Sequence, residues 1–329
     1  MSKAILVTGG AGYIGSHVCK ELARAGLIPV SYDSLVRGHR DALRWGPLEI
    51  GDTRDTARLR DVIRRHKPSA VLHLAGFAYV AESFDIPDEY ASVNVEGTRS
   101  LIAAMAAEGC DRLIFSSSCT VYGITETGFV DESMPGRPIN PYGTSKLQAE
   151  RLIRDASAAG LRSITLRYFN AAGADPDGEA GESHDPEPHL FPRVLMAAAG
   201  DLDAIDILGT DYATPDGSAV RDYVHVSDLA AAHVAAIGKI GQRAPADLLN
   251  LGTGRGYSVR EIIAAAERVT GRRVPVREKP RRPGDPDRLV ANAGTAAKFL
   301  GWQTRLSDLD SMIRTAWTWY SARRLARSA

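Results

Sequence analysis

The chain alternates short apolar runs with longer segments in which apolar positions recur every three to four residues. The strand-like runs cover 4–8, 29–33, 70–75, 112–118 and 163–169. The helical patterns lie near 14–25, 56–66, 95–108 and 143–159. Because parallel strands need a crossover between them, usually a helix, this alternation predicts an α/β fold with a doubly wound parallel sheet.

The second half of the chain has a different pattern. Residues 171–189 are dense in Gly, Pro and Asp and predict an inter-domain loop. Beyond it, helical patterns at 190–200, 258–270, 294–300 and 306–325 alternate with apolar runs at 205–208, 220–226 and 248–252. We expect one domain over 1–170 and a smaller α/β domain over 171–329. Part of the second half of the chain can return to the first domain.

Composition excludes several classes of protein. The 329 residues carry 40 basic and 40 acidic side chains, so nucleic acid is not expected as the main ligand. No apolar run approaches the roughly 20 residues of a membrane span, and neither a signal peptide nor a membrane is expected. Cys19, Cys110 and Cys119 lack paired spacing, so neither a disulfide framework nor a zinc finger can be built from them. No metal site is predicted. A cytoplasmic location follows from the same cysteines.

A glycine-rich turn directly follows the first strand. Gly9, Gly12 and Gly15 stand three residues apart and open the first helical pattern. This spacing is typical of dinucleotide sites, in which glycines allow a tight turn, a close approach to pyrophosphate and close packing of helix on strand. The helix N-terminus attracts the negative charge of the ligand.

An acidic residue at the end of the second strand indicates which dinucleotide is bound. Asp33 can accept hydrogen bonds from the ribose diol of adenosine, and its charge repels a 2′-phosphate, so NAD is predicted over NADP. Other residues sit at the carboxyl ends of predicted strands, where ligands of open α/β sheets bind. The cofactor-binding residues predicted in this region are Gly9, Gly12, Tyr13, Ile14, Gly15, Asp33, Ser34, Asp52, Thr53, Leu74, Ala75 and Gly76.

A second group of residues carries candidate catalytic chemistry. Ser118 ends the strand at 112–118, and Tyr142 precedes Lys146 by four residues at the start of a helix, which places both on one helix face. A free phenol has a pKa of about 10, so its use as a base requires that its pKa be lowered. We expect Lys146 and an oxidised nicotinamide to lower the pKa of Tyr142, while Ser118 binds the reacting oxygen.

These motifs resemble the extended short-chain dehydrogenase/reductase superfamily, whose fold is Rossmann-type. Further strings sharpen the resemblance to the UDP-glucose 4-epimerase family over essentially the whole chain. They are GGAGYIGSH at 9–17, FSSSCTVYG at 115–123, NPYGTSK at 140–146, LRYFNAAGA at 166–174, VRDYVHV at 220–226, LNLGTG at 249–254 and RRPGD at 281–285.

The resemblance implies a UDP-sugar 4-epimerase that interconverts UDP-glucose and UDP-galactose with tightly bound NAD. Tyr142 would take the proton of the 4-hydroxyl, Ser118 would share its hydrogen bond, and Lys146 would hold both the phenolate and the nicotinamide ribose. It also places Asn94 and Phe169 near the cofactor and implies a homodimer. The UDP-sugar would be held by Ser118, Tyr142, Asn170, His189, Leu190, Arg221, Arg282 and Asp285.

Two neighbouring classes remain as alternatives. Nucleotide-sugar dehydratases and decarboxylases resemble this chain but carry a Glu at the position of Thr120. Because no carboxylic acid stands there, both reactions are disfavoured. A non-catalytic NAD-binding scaffold is the other alternative, since fold does not fix function, although all three catalytic positions are present.

Some positions depart from the family pattern and leave the sugar undecided. The AYVxES string at 78–83 resembles UDP-xylose/UDP-arabinose 4-epimerases, so a pentose substrate is an alternative. His189 stands where Asn is common. Leu289 aligns with a position that, in the family, helps to decide whether an N-acetyl group fits beside the sugar.

Overall fold

The protein is described as a computed structural model that covers residues 3–125, 127–242, 246–282 and 285–328. Within these ranges the strands are β1 Ala4–Thr8, β2 Ile28–Asp33, β3 Leu48–Ile50, β4 Ala70–His73, β5 Arg112–Ser118, β6 Phe129–Val130, β7 Arg162–Tyr168, β8 Asn170–Ala172, β9 Ile205–Leu208, β10 Val220–His225, β11 Ala246–Leu251, β12 Gly256–Ser258, β13 Val276–Lys279 and β14 Arg288–Ala291. The helices are α1 Tyr13–Arg24, α2 Thr56–His66, α3 Glu82–Asp85, α4 Pro87–Ala91, α5 Gly97–Ala107, α6 Pro141–Ala158, α7 Leu190–Ala199, α8 Val226–Lys239, α9 Val259–Thr270, α10 Gly294–Leu300 and α11 Leu309–Ser328.

The larger sheet has seven parallel strands in the order β11-β7-β5-β4-β1-β2-β3. Alternate side chains of β1 serve two different cores. Ile5 and Val7 pack with apolar residues of α1 and α8, whereas Leu6 packs with those of α2, α5 and α6. Because both faces of the sheet are covered by helices, the strands are nearly continuous apolar runs, which is why they are visible in the sequence.

The larger sheet also recruits a strand from the second half of the chain. β11 pairs with β7 over six residues, from Ala246 with Ser163 to Leu251 with Tyr168. α8 packs against α1 on the same side. The sequence pattern missed α8 because its alanines and buried positions leave little of the amphipathic periodicity that marks a surface helix.

The smaller lobe is built around short strands. β10 pairs with β12, β14 and β8, β14 pairs with β6, and β13 pairs with β9. Apolar residues of α7, α9 and α11 form its core. We propose a boundary near residue 170, with β11 and α8 assigned to the larger lobe.

The segment before α5 is helical but irregular. α3 and α4 are separated at Ile86, and a π-helical stretch over Ser92–Glu96 joins α4 to α5. Pro87 explains the break, since it starts a new helix and cannot continue the preceding one. Across the described ranges, no helix combines the length and apolar content needed to cross a membrane.

Candidate active site

A cavity of about 660 Å³ lies along the carboxyl edge of the larger sheet and continues to the smaller lobe. Its volume is in the range of about 300–1,000 Å³ that is usual for small-molecule sites. All but one of the predicted site residues line it: Gly9, Gly12, Tyr13, Ile14, Gly15, Asp33, Ser34, Asp52, Thr53, Leu74, Ala75, Gly76, Ser118, Tyr142, Lys146, Phe169, Asn170, His189, Leu190, Arg221, Arg282 and Asp285. The exception is Asn94.

The glycine-rich turn needs two of its glycines for steric reasons. Gly9 has φ +75°, and a Cβ on it would lie 2.6 Å from the Ala75 nitrogen. A Cβ on Gly15 would lie 2.0 Å from the Gly9 carbonyl oxygen. α1 begins after Gly12 without a side-chain cap, so the first N–H groups of this helix are directed to the cavity wall as an anion site.

Asp33 connects this turn to the end of β2. One carboxylate oxygen accepts a 3.0 Å hydrogen bond from the Ala11 N–H, and the other accepts a 2.9 Å bond from the Leu35 N–H. Burial raises the pKa of the carboxyl, while these hydrogen bonds favour the charged form. Each oxygen retains acceptor capacity, so the carboxylate can still bind a diol.

Asn94 acts behind the cavity wall. Its Oδ1 accepts a 2.8 Å hydrogen bond from the Phe77 N–H, and its Nδ2 donates to the Phe77 carbonyl oxygen at 3.0 Å and to Ser145 Oγ at 2.9 Å. A Cβ on Gly76 would lie 2.8 Å from Asn94 Oδ1. Asn94 therefore positions the loop after β4 against α6, although the cavity does not expose it.

The Asp52 carboxylate is already engaged by a neighbour. Arg54 donates to it from Nε at 3.0 Å, from a terminal guanidinium nitrogen at 2.6 Å and from its backbone N–H at 2.8 Å. The adjacent Thr53 is buried. Arg54 therefore neutralises the charge of Asp52. The carboxylate can still accept hydrogen bonds from a ligand through its remaining lone pairs.

The catalytic candidates meet where β5 ends and α6 begins. Asn140 caps α6, accepting a 2.7 Å hydrogen bond from the Gly143 N–H, and Pro141 follows at the first helical position. This cap fixes Tyr142 and Lys146 on the helix face that packs against the sheet. Both side chains are buried, and Tyr142 forms a hydrogen bond with Ser118.

Burial dominates the electrostatics of Tyr142 and Lys146. Burial raises the pKa of Tyr142 to about 12, and the hydrogen bond with Ser118 offsets this only in part. Burial lowers the pKa of Lys146 to about 8. The Lys146 ammonium donates to the Ser116 carbonyl oxygen at 3.0 Å and lies 6.0 Å from the centre of the Tyr142 ring. That Lys146 and an oxidised nicotinamide together lower the pKa of Tyr142 stays a prediction.

The position that carries an acid in related dehydratases holds a hydroxyl here. Thr120 donates to Ser118 Oγ from its side chain at 3.0 Å and from its backbone at 3.2 Å. The neighbouring Cys119 is buried, and burial raises the pKa of its thiol to about 12. Neither residue supplies an acid or a thiolate nucleophile at neutral pH.

At the other end of the cavity, two predicted ligand-binding residues pair with each other. Arg221 donates to Asp285 at 2.5 Å and to its own neighbour's carbonyl, Val220 O, at 2.8 Å. Asp222 does not pair with Arg221, since its buried carboxylate accepts from the Thr253 and Gly254 N–H groups. Arg221 therefore points to the cavity in a fixed geometry that suits phosphate oxygens.

Several cavity residues were not predicted as site residues from the sequence. Arg37 donates two hydrogen bonds to Glu82, at 2.7 and 2.8 Å, and its guanidinium lies 4.8 Å from the ring centre of Tyr79. Tyr223 enters from β10, where it is paired in register with Asn170 of β8. Tyr223 belongs to the VRDYVHV string at 220–226, but the string does not show that its side chain enters the cavity. Arg37 belongs to none of the strings, and both residues reach the cavity through tertiary packing.

Comparison with known proteins decides the family. A model of the NAD dependent epimerase/dehydratase family matches residues 5–252. The UDP-glucose 4-epimerase of Rhizobium meliloti (strain 1021) is 47% identical over 320 residues, which are 97% of this chain and 97% of that protein. The chain belongs to the UDP-glucose 4-epimerase family.

Solved structures of this epimerase family agree with the fold. The UDP-glucose 4-epimerase of Brucella ovis, in complex with NAD, has a TM-score of 0.94 and 50% identity, covering 96% of this chain and 98% of that chain. A UDP-glucose-4-epimerase from Stenotrophomonas maltophila, with bound NAD and formylated UDP-arabinopyranose, has a TM-score of 0.95 and 41% identity, covering 99% of both chains. The predicted Rossmann-type doubly wound α/β fold is confirmed.

Proposed function

We propose that this chain interconverts UDP-glucose and UDP-galactose by reversible hydride transfer at sugar carbon 4, with NAD held tightly through the reaction. The observation that carries the proposal is the position of Ser118, Tyr142 and Lys146. They lie in one cavity between a dinucleotide-type glycine turn and an arginine-bearing wall. The absence of an acid at Thr120 supports epimerisation over dehydration.

The residues of the larger lobe fit NAD. The tight turn requires glycine at 9 and 15, because a Cβ there would collide with the backbone of Ala75 or of Gly9. This turn would let the backbone approach the pyrophosphate closely. Asp33 would bind the adenosine ribose, while Lys146 and Phe169 would lie against the nicotinamide end. Held by these residues, the cofactor would supply reversible hydride chemistry at carbon 4 of the sugar.

Tyr142 and Ser118 would control the proton on the 4-hydroxyl oxygen. Tyr142 would remove the proton of the 4-hydroxyl as carbon 4 is oxidised, and would return it when carbon 4 is reduced. Ser118 would hydrogen-bond the same oxygen in both states of the sugar. Lys146, fixed by the Ser116 carbonyl oxygen, would orient the phenol and the cofactor ribose.

The wall of the smaller lobe would hold the UDP moiety while the 4-keto sugar turns over. Arg221 and Arg282 supply positive charge for the diphosphate, and Asp285 fixes Arg221. Asn170, His189 and Leu190 line the cavity next to them. Anchoring the nucleotide leaves the sugar as the mobile part, which an epimerase requires because both faces of carbon 4 must meet the same hydride donor.

A second candidate function is UDP-xylose/UDP-L-arabinose 4-epimerisation. Tyr79 lines the cavity, and its ring contacts those of His184 and His189. This aromatic cluster takes up part of the cavity wall, and a pentose, which lacks the exocyclic carbon of a hexose, would need less space beside it. The experiment therefore includes pentose and hexose substrates.

The test is to incubate the purified protein, without added NAD, with UDP-galactose, UDP-glucose, UDP-xylose and UDP-arabinose separately, and to quantify each 4-epimer by chromatography. Conversion of the hexoses is the expected result. Conversion of pentoses alone would replace the first proposal with the second. Net NADH formation would indicate an oxidoreductase, a 4-keto-6-deoxy product would indicate a dehydratase, and no conversion even with NAD added would favour a scaffold.

We further propose a cytoplasmic homodimer. α5 and α6 pack side by side, and pairing them with the same helices of a second chain would form a four-helix bundle. Ala103 is an exposed position on α5, and A103R should shift the mass measured by light scattering from dimer to monomer. The three cysteines are unpaired and buried, which is compatible with a reducing compartment.

A further inference from the structure

The segment before α7 contains a repeated sequence, Glu-x-His, at Glu182–His184 and again at Glu187–His189. All four side chains converge. One ligand atom from each, a carboxylate oxygen or an imidazole nitrogen, lies within 4.8 Å of every other. The missing cysteine pairs argued only against a zinc finger, and they carry no information about ligands supplied by histidine and glutamate.

The spacing between these atoms matches a coordination shell. His184 Nδ1 lies 3.2 Å from Glu182 Oε1 and 3.5 Å from Glu187 Oε1, and His189 Nδ1 lies 3.7 Å from Glu187 Oε1. His189 Nδ1 also contacts Glu182 directly. Ligand atoms bound tetrahedrally at about 2.0–2.1 Å are about 3.3–3.5 Å apart, close to three of these four separations.

The two carboxylates of the cluster are buried and therefore need a positively charged partner. The Glu182 and Glu187 side chains are each only 8% exposed. His184 Nδ1 is buried and has no hydrogen bond of good geometry, although it points to both carboxylates. Buried carboxylates require a cation or a metal. A divalent metal with two neutral imidazoles makes the group electrically neutral.

The backbone around the cluster is fixed from outside. Trp319 Nε1 donates to the Glu182 carbonyl oxygen at 2.9 Å, and His39 Nε2 lies 2.7 Å from the Ser183 carbonyl oxygen. The His189 N–H donates to Glu187 Oε1 at 3.0 Å. Contacts from α11 and from the segment after β2 thus hold the backbone at Glu182 and Ser183 in place.

We propose that Glu182, His184, Glu187 and His189 bind one divalent transition-metal ion, with Zn²⁺ as the best fit, in a closed structural site. Two nitrogen and two carboxylate ligands in a tetrahedral arrangement suit Zn²⁺, whereas Mg²⁺ and Ca²⁺ prefer six or more oxygens. The ion would fasten the segment between β8 and α7 beside the sugar end of the cavity. This inference does not depend on the proposed function.

The chain offers an internal comparison. Asp175, Asp177 and Glu179 also cluster, but Lys20 Nζ lies 2.7, 2.8 and 2.6 Å from their carboxylates. The Lys20 ammonium already contacts all three carboxylates of that cluster, so we propose no metal site there. The carboxylates of Glu182 and Glu187 differ, because their ion-pair contacts within the described residues are to histidines.

The test is the metal content of tag-free protein after chelator treatment, incubation with ZnCl₂ and desalting. We expect one Zn²⁺ per chain by mass spectrometry of the metal, and a higher thermal midpoint with Zn²⁺ than without it. H184Q and E187Q should each bind Zn²⁺ more than about 100-fold more weakly, beyond the 10–100-fold cost of losing an outer partner. H66Q removes another histidine–glutamate pair, His66 with Glu49, and should retain the wild-type zinc content.

A second readout reports the geometry of the site. Co²⁺ bound by the wild-type protein should show the intense visible absorption of a tetrahedral ion, and that band should be lost in E187Q. Excess Mg²⁺ or Ca²⁺ should not displace Zn²⁺. Less than one-tenth of a Zn²⁺ per chain, or equal loss in H66Q and H184Q, would overturn the proposal and leave two protonated histidines as the partners of the carboxylates.

Discussion

The ammonium nitrogen of Lys146 lies 6.0 Å from the ring centre of Tyr142, one helical turn away on α6. It donates to the Ser116 carbonyl oxygen at 3.0 Å rather than to the phenol oxygen. Since burial raises the pKa of Tyr142 to about 12, the protein groups favour the neutral phenol. In the proposed reaction, the positive charge that favours the phenolate therefore comes largely from oxidised nicotinamide.

Removing the phenol oxygen should abolish most of the epimerase activity. We expect Y142F to lower kcat for UDP-galactose by about 10²–10⁴-fold, the usual contribution of a general acid–base group. The NAD content after extraction should be unchanged, because the ring remains in place. Y257F is the matched control, as Tyr257 is buried outside the cavity. A Y142F variant within tenfold of wild-type turnover would contradict the assignment.

The carboxylate of Asp33 should control cofactor retention and cofactor choice. D33N removes the charge that holds the Ala11 N–H and would bind the ribose diol. A hydrogen bond to a charged group contributes about 1.5–3 kcal/mol, so NAD affinity should fall by roughly 10- to 150-fold. Discrimination against NADP should fall as well. Dissociation constants from cofactor reconstitution of both proteins would check this, and unchanged NAD affinity would contradict it.

Leu289 should limit the size of the sugar. Its side chain is buried and lines the cavity beside the smaller lobe. L289A would create space there, so we expect the ratio of kcat/KM for UDP-N-acetylglucosamine to that for UDP-glucose to rise by at least tenfold. L300A is the control, because it makes the same Leu-to-Ala change at a buried core position outside the cavity. An unchanged ratio in L289A would show that Leu289 does not face the sugar.

Stability should fall in mild acid. Burial lowers the pKa of four histidines, to about 4 for His17, about 3 for His73, about 4 for His225 and about 4 for His233. Below pH 6.5 these histidines bind protons in the unfolded chain but not in the folded chain. Each one therefore lowers the free energy of unfolding by up to about 1.4 kcal/mol per pH unit between pH 6.5 and 4. The pKa of His184 is raised to about 9, so this group changes the free energy of unfolding only above pH 6.5.

Urea unfolding followed by tryptophan fluorescence would measure this effect. The free energy of unfolding should be lower at pH 5 than at pH 7. An equal or higher value at pH 5 would mean that these histidines become protonated in the folded protein.

The fold was predictable where local pattern and burial coincide. β1, β4 and β5 are continuous apolar runs because helices cover both faces of the sheet, and the sequence predicted them within two residues at either end. The pairing of β11 with β7 joins positions some eighty residues apart and has no local signature. α8 is buried on most sides, so its composition lacks a polar stripe.

The site residues were likewise predictable where a local constraint fixes them, and not where tertiary packing brings them together. Gly9 and Gly15 are dictated by steric contacts within a short turn, and a fixed spacing revealed them. Asn94 lies outside the cavity, because it positions the Phe77 backbone from behind. The Glu182 and His184 pair lay in a segment whose turn-forming composition predicted only a loop, since convergence of side chains is a tertiary property.

The fate of the hydrogen on carbon 4 tests the central claim most directly. Protein without added NAD would be incubated with UDP-galactose carrying deuterium at carbon 4, and the UDP-glucose formed would be analysed by mass spectrometry and NMR. If the same hydride leaves and returns within one bound complex, the product retains deuterium at carbon 4. Loss of the deuterium to solvent, or its appearance in free NADH, would contradict the account.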